Sequence, residues 1–266
     1  VFTLWHVTHH NFRAARTVKL ARYLSDLGYG TKRELERMLV SRQITLADGT
    51  VLKDSAQDAP PHDQLRVMGV PLDPPPGAVI LLHKPAGMVC STEDSNPLVY
   101  DLLPSRFRDR SPIMSPVGRL DRDTTGLLLV TDDGQLLHRL TSPKSHLPKR
   151  YVAQLAEPLR ESAVAEFTSG TLMLSGETSP LAPATLDIIG PRLASVTITE
   201  GRYHQVRRMF AAVGNHVQSL HRDAFGPLTL DGVPEGEWRV LSSEERDSLE
   251  QALRTARLTR ASPRAP

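Results

Sequence analysis

Gly118-Arg119-Leu120-Asp121-Arg122-Asp123-Thr124-Thr125-Gly126 runs directly into Leu127-Leu128-Leu129-Val130-Thr131-Asp132-Asp133-Gly134. The first half is polar, charged and bounded by glycine. The second is an apolar run of strand length that ends in turn residues. This pattern predicts a loop feeding a buried strand. Arg119 and Arg122 on either side of Asp121 favour a charged carboxylate even beside an apolar strand. The same residues also suit a structural turn in which Asp121 and Asp123 accept hydrogen bonds from backbone amides. Asp121 with Asp123 could also form a carboxylate pair that cleaves a glycosidic bond. The residues of the loop alone leave the three readings open.

Working outward, Ala78 to Leu82 and the alternating Val196 and Ile198 read as further strands. Val206, Met209, Phe210 and Val213 repeat at i, i+3, i+4 and i+7, which predicts a helix that Gly214 can end, with His204, Arg207 and Arg208 on its opposite face. Upstream, Pro71, Pro74, Pro75 and Pro76 remove backbone donors and place a linker over residues 69–77. Before it, Leu20, Tyr23, Leu24 and Leu27 have helical spacing ending at Gly28, and Thr31 with Glu34 forms a capping box for a second helix carrying Leu35, Met38 and Leu39. Ile44, Leu46, Asp48-Gly49 and Val51-Leu52 predict a hairpin. The fold class is therefore α+β: a small helix-helix-hairpin module over residues 19–68, then a larger mixed α and β domain over residues 78–255. Residues 1–18 read as a poorly ordered extension and residues 256–266 as a flexible tail.

The chain has 266 residues and a net charge of +2, so total charge does not point to nucleic acid. Its distribution does: Arg13, Arg16, Lys19, Arg22, Lys32, Arg33, Arg37 and Arg42 face only Asp26, Glu34 and Glu36 before position 43. Such a patch can bind phosphates with counterion release, or can simply be solvated. Cys90 is the only cysteine, which excludes an internal disulfide and suits a reducing compartment. No apolar run approaches the length of a membrane span, so a cytoplasmic protein with no membrane partner is expected. His6, His9 and His10 cluster, but no further ligands accompany them, and no metal site is expected there.

The loop-strand motif resembles the catalytic motif of the ribosomal pseudouridine synthases. Three further stretches match that family in order: His83-Lys84-Pro85-Ala86-Gly87, Lys149-Arg150-Tyr151, and Glu200-Gly201-Arg202-Tyr203-His204-Gln205-Val206-Arg207-Arg208-Met209-Phe210. The first module is similar to an S4 RNA-binding domain, with Lys19-Leu20 and Thr31-Lys32-Arg33 at its helix starts. From Tyr203 to His216, and at Leu220-His221-Arg222, the chain is most similar to the branch acting on small-subunit 16S rRNA.

The resemblance implies a predominantly antiparallel sheet and isomerisation of uridine to pseudouridine, with Asp121 as the essential carboxylate. Tyr151 is implied to stack on the extruded base and help move its C5 proton, and Arg207 to pair with Asp121. Lys19, Arg22, Lys32, Arg33, Arg37, Arg42, Arg119, Lys149, Arg150, His204 and Arg208 are expected to contact RNA, chiefly its phosphates. No redox or phosphoryl-transfer step is implied, so no cofactor or metal is expected. The expected partner is structured rRNA or a ribosomal assembly intermediate, and a monomer is expected. Action on 23S rRNA, or a noncatalytic role in ribosome assembly, are the alternatives.

Overall fold

The structure is a computed structural model that describes residues 18–261, with only the backbone described beyond Ala256. The expected disorder of residues 1–17, the histidine cluster there, and Arg13 and Arg16 lie outside the described residues. The chain divides into two compact units between Asp73 and Pro74.

In the first unit, α1 (Leu20–Asp26) and α2 (Lys32–Val40) precede β1 (Ile44–Leu46), β2 (Leu65–Val67) and β3 (Val70–Pro71). Gly28 follows α1 at φ +83°, a conformation that glycine adopts without strain. Thr31 caps α2 reciprocally: its side chain accepts from the Glu34 N–H, and Glu34 accepts from the Thr31 N–H at 2.8 Å. The expected hairpin differs in its partner. A turn at Asp48-Gly49 does return the chain, but Val51 makes only an isolated bridge to Thr45, and β1 pairs antiparallel with β2 instead. The reason is burial. Leu52 alone of the nearer segment enters the core and the sequence after it turns polar, whereas Leu65 and Val67 share a strand face and both enter the core with Leu20, Leu24, Leu35 and Ile44. The sheet order is β1-β2-β3, so β3 reaches into the stretch expected to be linker. Pro71 is tolerated because β3 is an edge strand.

The second unit is built on a nine-stranded sheet. Its elements are β4 (Val79–Lys84), β5 (Ser115–Pro116), β6 (Thr124–Thr131), α3 (Gly134–Thr141), β7 (Lys149–Leu155), α4 (Ser162–Thr168), β8 (Thr185–Gly190), β9 (Leu193–Ile198), α5 (Gln205–Ala212), β10 (Val217–Phe225), β11 (Leu228–Thr229), β12 (Trp238–Val240) and α6 (Ser243–Ala261). Helix α6 continues into the stretch expected to be a flexible tail. The main strand order is β12-β4-β6-β10-β7-β9-β8. Every pairing is antiparallel except β6 with β10, so the sheet is mostly antiparallel.

The unbroken Leu127-Leu128-Leu129-Val130 run follows from helices on both sheet faces. Leu128 and Val130 join Ile80, Leu82, Phe167 of α4 and Phe210 of α5 in one core. Leu127 and Leu129 join Val79, Leu81, Leu140 of α3 and Leu249 of α6 in the other. A strand buried on both sides needs no polar alternation. Each fully buried leucine contributes about 1.5–3 kcal/mol. Glycine is required at position 126 (φ +111°), because a Cβ there would sit 2.2 Å from the Arg222 carbonyl oxygen on the adjacent β10. Among the described residues, no helix is long and apolar enough to cross a membrane.

Candidate active site

The Asp121 loop is fixed from beneath by Lys84. This lysine ends β4, is fully buried, and its Nζ donates to the carbonyls of Pro85 (2.9 Å), Arg122 (3.1 Å) and Thr124 (2.9 Å). Burial pushes its ammonium below the ordinary lysine value, an effect that Cys90, Asp123 and Asp121 partly offset. The Thr124 N–H donates to the Asp121 carbonyl at 3.0 Å, closing the turn. Leu120 is buried next to Asp121, and its N–H points to Cys90 Sγ at 3.5 Å. Cys90 is a packed core residue, and burial pushes its thiol up rather than down. The backbone of the loop is thus anchored while the Asp121 side chain stays one-third exposed.

Two residues at the start of α5 approach that carboxylate. His204 Nε2 lies 3.3 Å from Asp121 Oδ1, and Arg207 Nε lies 3.8 Å from Oδ2. Arg207 also donates from Nη1 to the Val217 carbonyl at 3.2 Å, which steers its guanidinium. A separation of 3.8 Å is looser than a two-pronged carboxylate grip, and such contacts often tighten only when substrate is bound.

Tyr151 lies on β7, opposite Arg222 of β10, which in turn is opposite Gly126 of β6. Tyr151 is buried, and its hydroxyl accepts from Arg222 Nη1 at 3.4 Å. Arg222 is 2% exposed, donates from Nε to the Leu127 carbonyl at 2.7 Å, and lies 5.9 Å from the Tyr151 ring centre. Among the described residues, the buried side-chain polar atoms without a partner are Thr124 Oγ1, Arg207 Nη2 and Arg222 Nη2. All three belong to residues already drawn into this region. Buried polar atoms are nearly always satisfied, so each of these is an exception within the residues around the Asp121 loop and Tyr151.

The other sequence-selected residues divide. Arg119 is exposed on the Asp121 loop. Lys149 is half-buried at the start of β7, donates to the Leu147 carbonyl at 3.3 Å, and has its ammonium lowered to about 8 by burial and by Arg222. Arg150 alternates to the opposite sheet face from Tyr151 and pairs with Asp223 at 2.9 Å. Arg208 is engaged internally, by Glu177 at 2.9 Å and by the carbonyls of Ser175 and Tyr203. With Arg202, which also grips Glu177, it ties residues 175–180 to the start of α5. In the first unit, Lys19 pairs with Asp58 and Arg22 with Asp26. Lys32 and Arg37 make looser contacts with Glu36 and Glu34, and Arg33 and Arg42 are exposed. Arg33 and Arg37 share a shallow depression with Glu36, Val40 and Ser41.

Sequence reading assigned no role to Lys84 or Arg222. Lys84 could have been found as a charge directly ending an apolar strand run, and Arg222 as a charge within the alternating β10. Neither signal says what the buried group holds. Among the described residues, no three His, Cys, Asp or Glu side chains are grouped to hold a metal ion.

A family model described as RNA pseudouridylate synthase matches residues 78–212. The ribosomal small subunit pseudouridine synthase A of Yersinia pestis is 42% identical over 86% of this chain and 96% of its own. The protein of that name from Escherichia coli strain K12 is 41% identical over 79% of this chain and 93% of its own. A solved structure titled as a pseudouridylate synthase is 36% identical, covers 87% of this chain and 99% of its own, and superposes with a TM-score of 0.61. The anchored Asp121 loop, the arginine and histidine beside it, and the buried tyrosine all lie within the segment matched by the family model, and the chain belongs to the RNA pseudouridylate synthase family.

Proposed function

We propose that this enzyme isomerises a uridine of bacterial small-subunit rRNA to pseudouridine, using Asp121 as the reacting carboxylate. The observation that carries the reading is the state of Asp121. Its backbone is anchored, its side chain is open to solvent, and His204 and Arg207 stand beside it without saturating it. The reaction breaks the bond from uracil N1 to the ribose anomeric carbon and joins C5 to the same carbon. C5 loses a proton and N1 gains one, so atoms balance without a co-reactant. A carboxylate beside the anomeric carbon stabilises or attacks the electron-poor sugar. The Tyr151 hydroxyl, hydrogen-bonded to Arg222, is read as the group that serves the C5 proton. Extrusion of the base costs a few kcal/mol, which contacts in the pocket offset.

The small-subunit assignment is supported by the names of relatives that match along most of this chain. The first unit is read as an S4-like RNA-binding module, with Arg33, Arg37 and Arg42 neutralising phosphates, and the enzyme as a cytoplasmic monomer acting on rRNA or an assembly intermediate. Replacing Arg33 and Arg37 by Ala should flatten the plot of log affinity against log salt by roughly 0.7–0.9 per lost phosphate contact. The decisive experiment incubates the enzyme with small- and large-subunit rRNA and maps pseudouridine in both. One modified uridine in the small-subunit RNA is expected. Modification confined to the large-subunit RNA would move the substrate, and release of free uracil would replace isomerisation by hydrolysis.

A further inference from the structure

Tyr203 immediately precedes the residue that touches Asp121, yet its side chain is 76% exposed. Among the described residues it is the sole aromatic in the set of exposed large hydrophobic side chains. Its ring stacks on the His204 imidazole, with centroids 3.8 Å apart and planes 22° from parallel. His204 Nε2 in turn lies 3.3 Å from Asp121 Oδ1. The phenol ring therefore covers one face of the imidazole whose Nε2 meets the carboxylate, and is itself largely open to solvent.

We propose that the outer face of Tyr203 is a stacking subsite for a nucleobase adjacent in the RNA strand to the uridine that reacts. The proposal rests on the reading of Asp121 as the reacting carboxylate. A base laid on this face would stack about 3.5 Å beyond the phenol ring, which itself lies one stacking distance, 3.8 Å, from the imidazole that meets Asp121. That base is too distant to be the one whose sugar meets the carboxylate, and close enough to be its neighbour. The occupant is a nucleobase rather than an apolar protein side chain because of the surroundings. Arg119 and Arg122 are exposed on the Asp121 loop. Exposed cations on the loop that carries Asp121, and an exposed flat ring next in sequence to the residue that meets it, are what a single nucleic-acid strand requires, phosphates to the arginines and a base to the ring.

The platform is also built rather than loose. His204 adopts a left-handed conformation, φ +48° and ψ +33°, which a residue with a side chain rarely takes and which the surrounding bonds must hold. Gln205 Oε1 accepts from the Arg202 N–H at 2.8 Å, and Gln205 Nε2 donates to Glu200 at 3.0 Å. The Tyr203 carbonyl accepts from Arg208 Nη1 at 3.1 Å, and Glu177 holds the same arginine. These bonds occupy Arg208 with the backbone that carries the two rings. A preformed ring loses little freedom when a base lands on it, so most of the stacking energy appears as affinity.

The test is a ladder at position 203 read by affinity for full-length small-subunit rRNA. Tyr203→Phe and Tyr203→Trp keep a π-face and should bind like the wild type. Tyr203→Ala and Tyr203→Leu should bind roughly five- to hundred-fold more weakly. Leucine separates the readings, because it still covers His204 but offers no aromatic face. Rescue by Leu, or unchanged affinity in Ala, overturns the proposal. The second measurement uses an RNA fragment centred on the uridine that the wild type converts, with an abasic nucleotide on its 5′ or its 3′ side. On one side the abasic RNA should weaken the wild type but not Tyr203→Ala. Additive losses on both sides overturn the assignment to a neighbouring base. If the wild type converts no uridine, the proposed function falls, and the affinity ladder still decides the platform.

Discussion

Asp121 and Asp132 flank the two ends of β6, and an arginine faces each, yet the two carboxylates are in opposite physical states. Asp132 is 3% exposed and saturated: Oδ2 accepts from Arg110 Nη2 at 2.6 Å and Nε at 3.0 Å, and Oδ1 accepts from the Gly77 N–H at 2.8 Å. Arg110 also holds the Pro74 carbonyl at 3.0 Å, so this pair pins the entry to β4. Asp121 is one-third exposed, and its contacts stand at 3.3 and 3.8 Å. A carboxylate whose lone pairs are filled in a dry site holds structure. One that is flanked but unfilled, at the edge of solvent, is available to a substrate. The difference lies in saturation and access, not in residue type.

The sharpest way to break this comparison is to remove one charge at a time. Asp121→Asn keeps the shape of the side chain and should lower pseudouridine formation roughly a thousand-fold or more. Its denaturation midpoint should stay near wild type, since no well-formed bond is lost. A folded variant that turns over normally would end the assignment.

Asp132→Ala should do the reverse. Stripping one partner from a buried ion pair costs about 3–5 kcal/mol, because Arg110 is left charged and dry. Urea denaturation should show that loss, while molecules that remain folded keep their turnover. A comparable fall in turnover per folded molecule would mean that the two ends of β6 are not separable.

Tyr151→Phe tests the neighbouring proton path. It should lower the rate roughly a hundred-fold, the lower range for a lost general acid or base, with much less effect on RNA affinity. Equal losses in both would make Tyr151 a binding residue.

Lys149 gives the smallest effect and a third electrostatic case, a half-buried cation with Arg222 close by. Its folded value of about 8 lies below the ordinary 10.5, so across the window from pH 8 to 10.5 the unfolded chain holds the proton that the folded chain has released. This group alone therefore makes the folded state gain stability as pH rises through that window. Denaturation at pH 7.5 and 9.5 should show a gain in wild type that Lys149→Met lacks. An identical pH response in both proteins would rule out this origin.

Much of the larger domain is legible along the chain. The Leu127–Val130 run announces β6, and the spacing of Val206, Met209 and Phe210 announces α5, because a strand or helix facing a core writes its period into neighbouring residues. Asp133 reads along the chain only as a turn residue, and the structure shows it capping α3, its side chain accepting from the Leu136 N–H at 2.9 Å. The small module is less legible at one point. The choice of β2 over Val51-Leu52 as partner of β1 joins segments about twenty residues apart, and local turn chemistry cannot weigh that against the nearer return.

The sequence by itself determined which residues are chemically able to act: one loop carboxylate between arginines and a basic helix start, with Tyr151 singled out by the family resemblance alone. Those properties belong to side chains and to short-range order. Only the tertiary structure decided which of them meet. It set His204 and Arg207 beside Asp121, placed Arg222 behind Tyr151, and turned Arg150 and Arg208 to acids of their own. It also made Lys84 the anchor of the loop, since a charge that ends an apolar run is silent until the three carbonyls it holds are brought around it. Distances between residues far apart in the chain are set by how strands pair and helices pack, and a charge takes its role from what burial and neighbours leave unsatisfied.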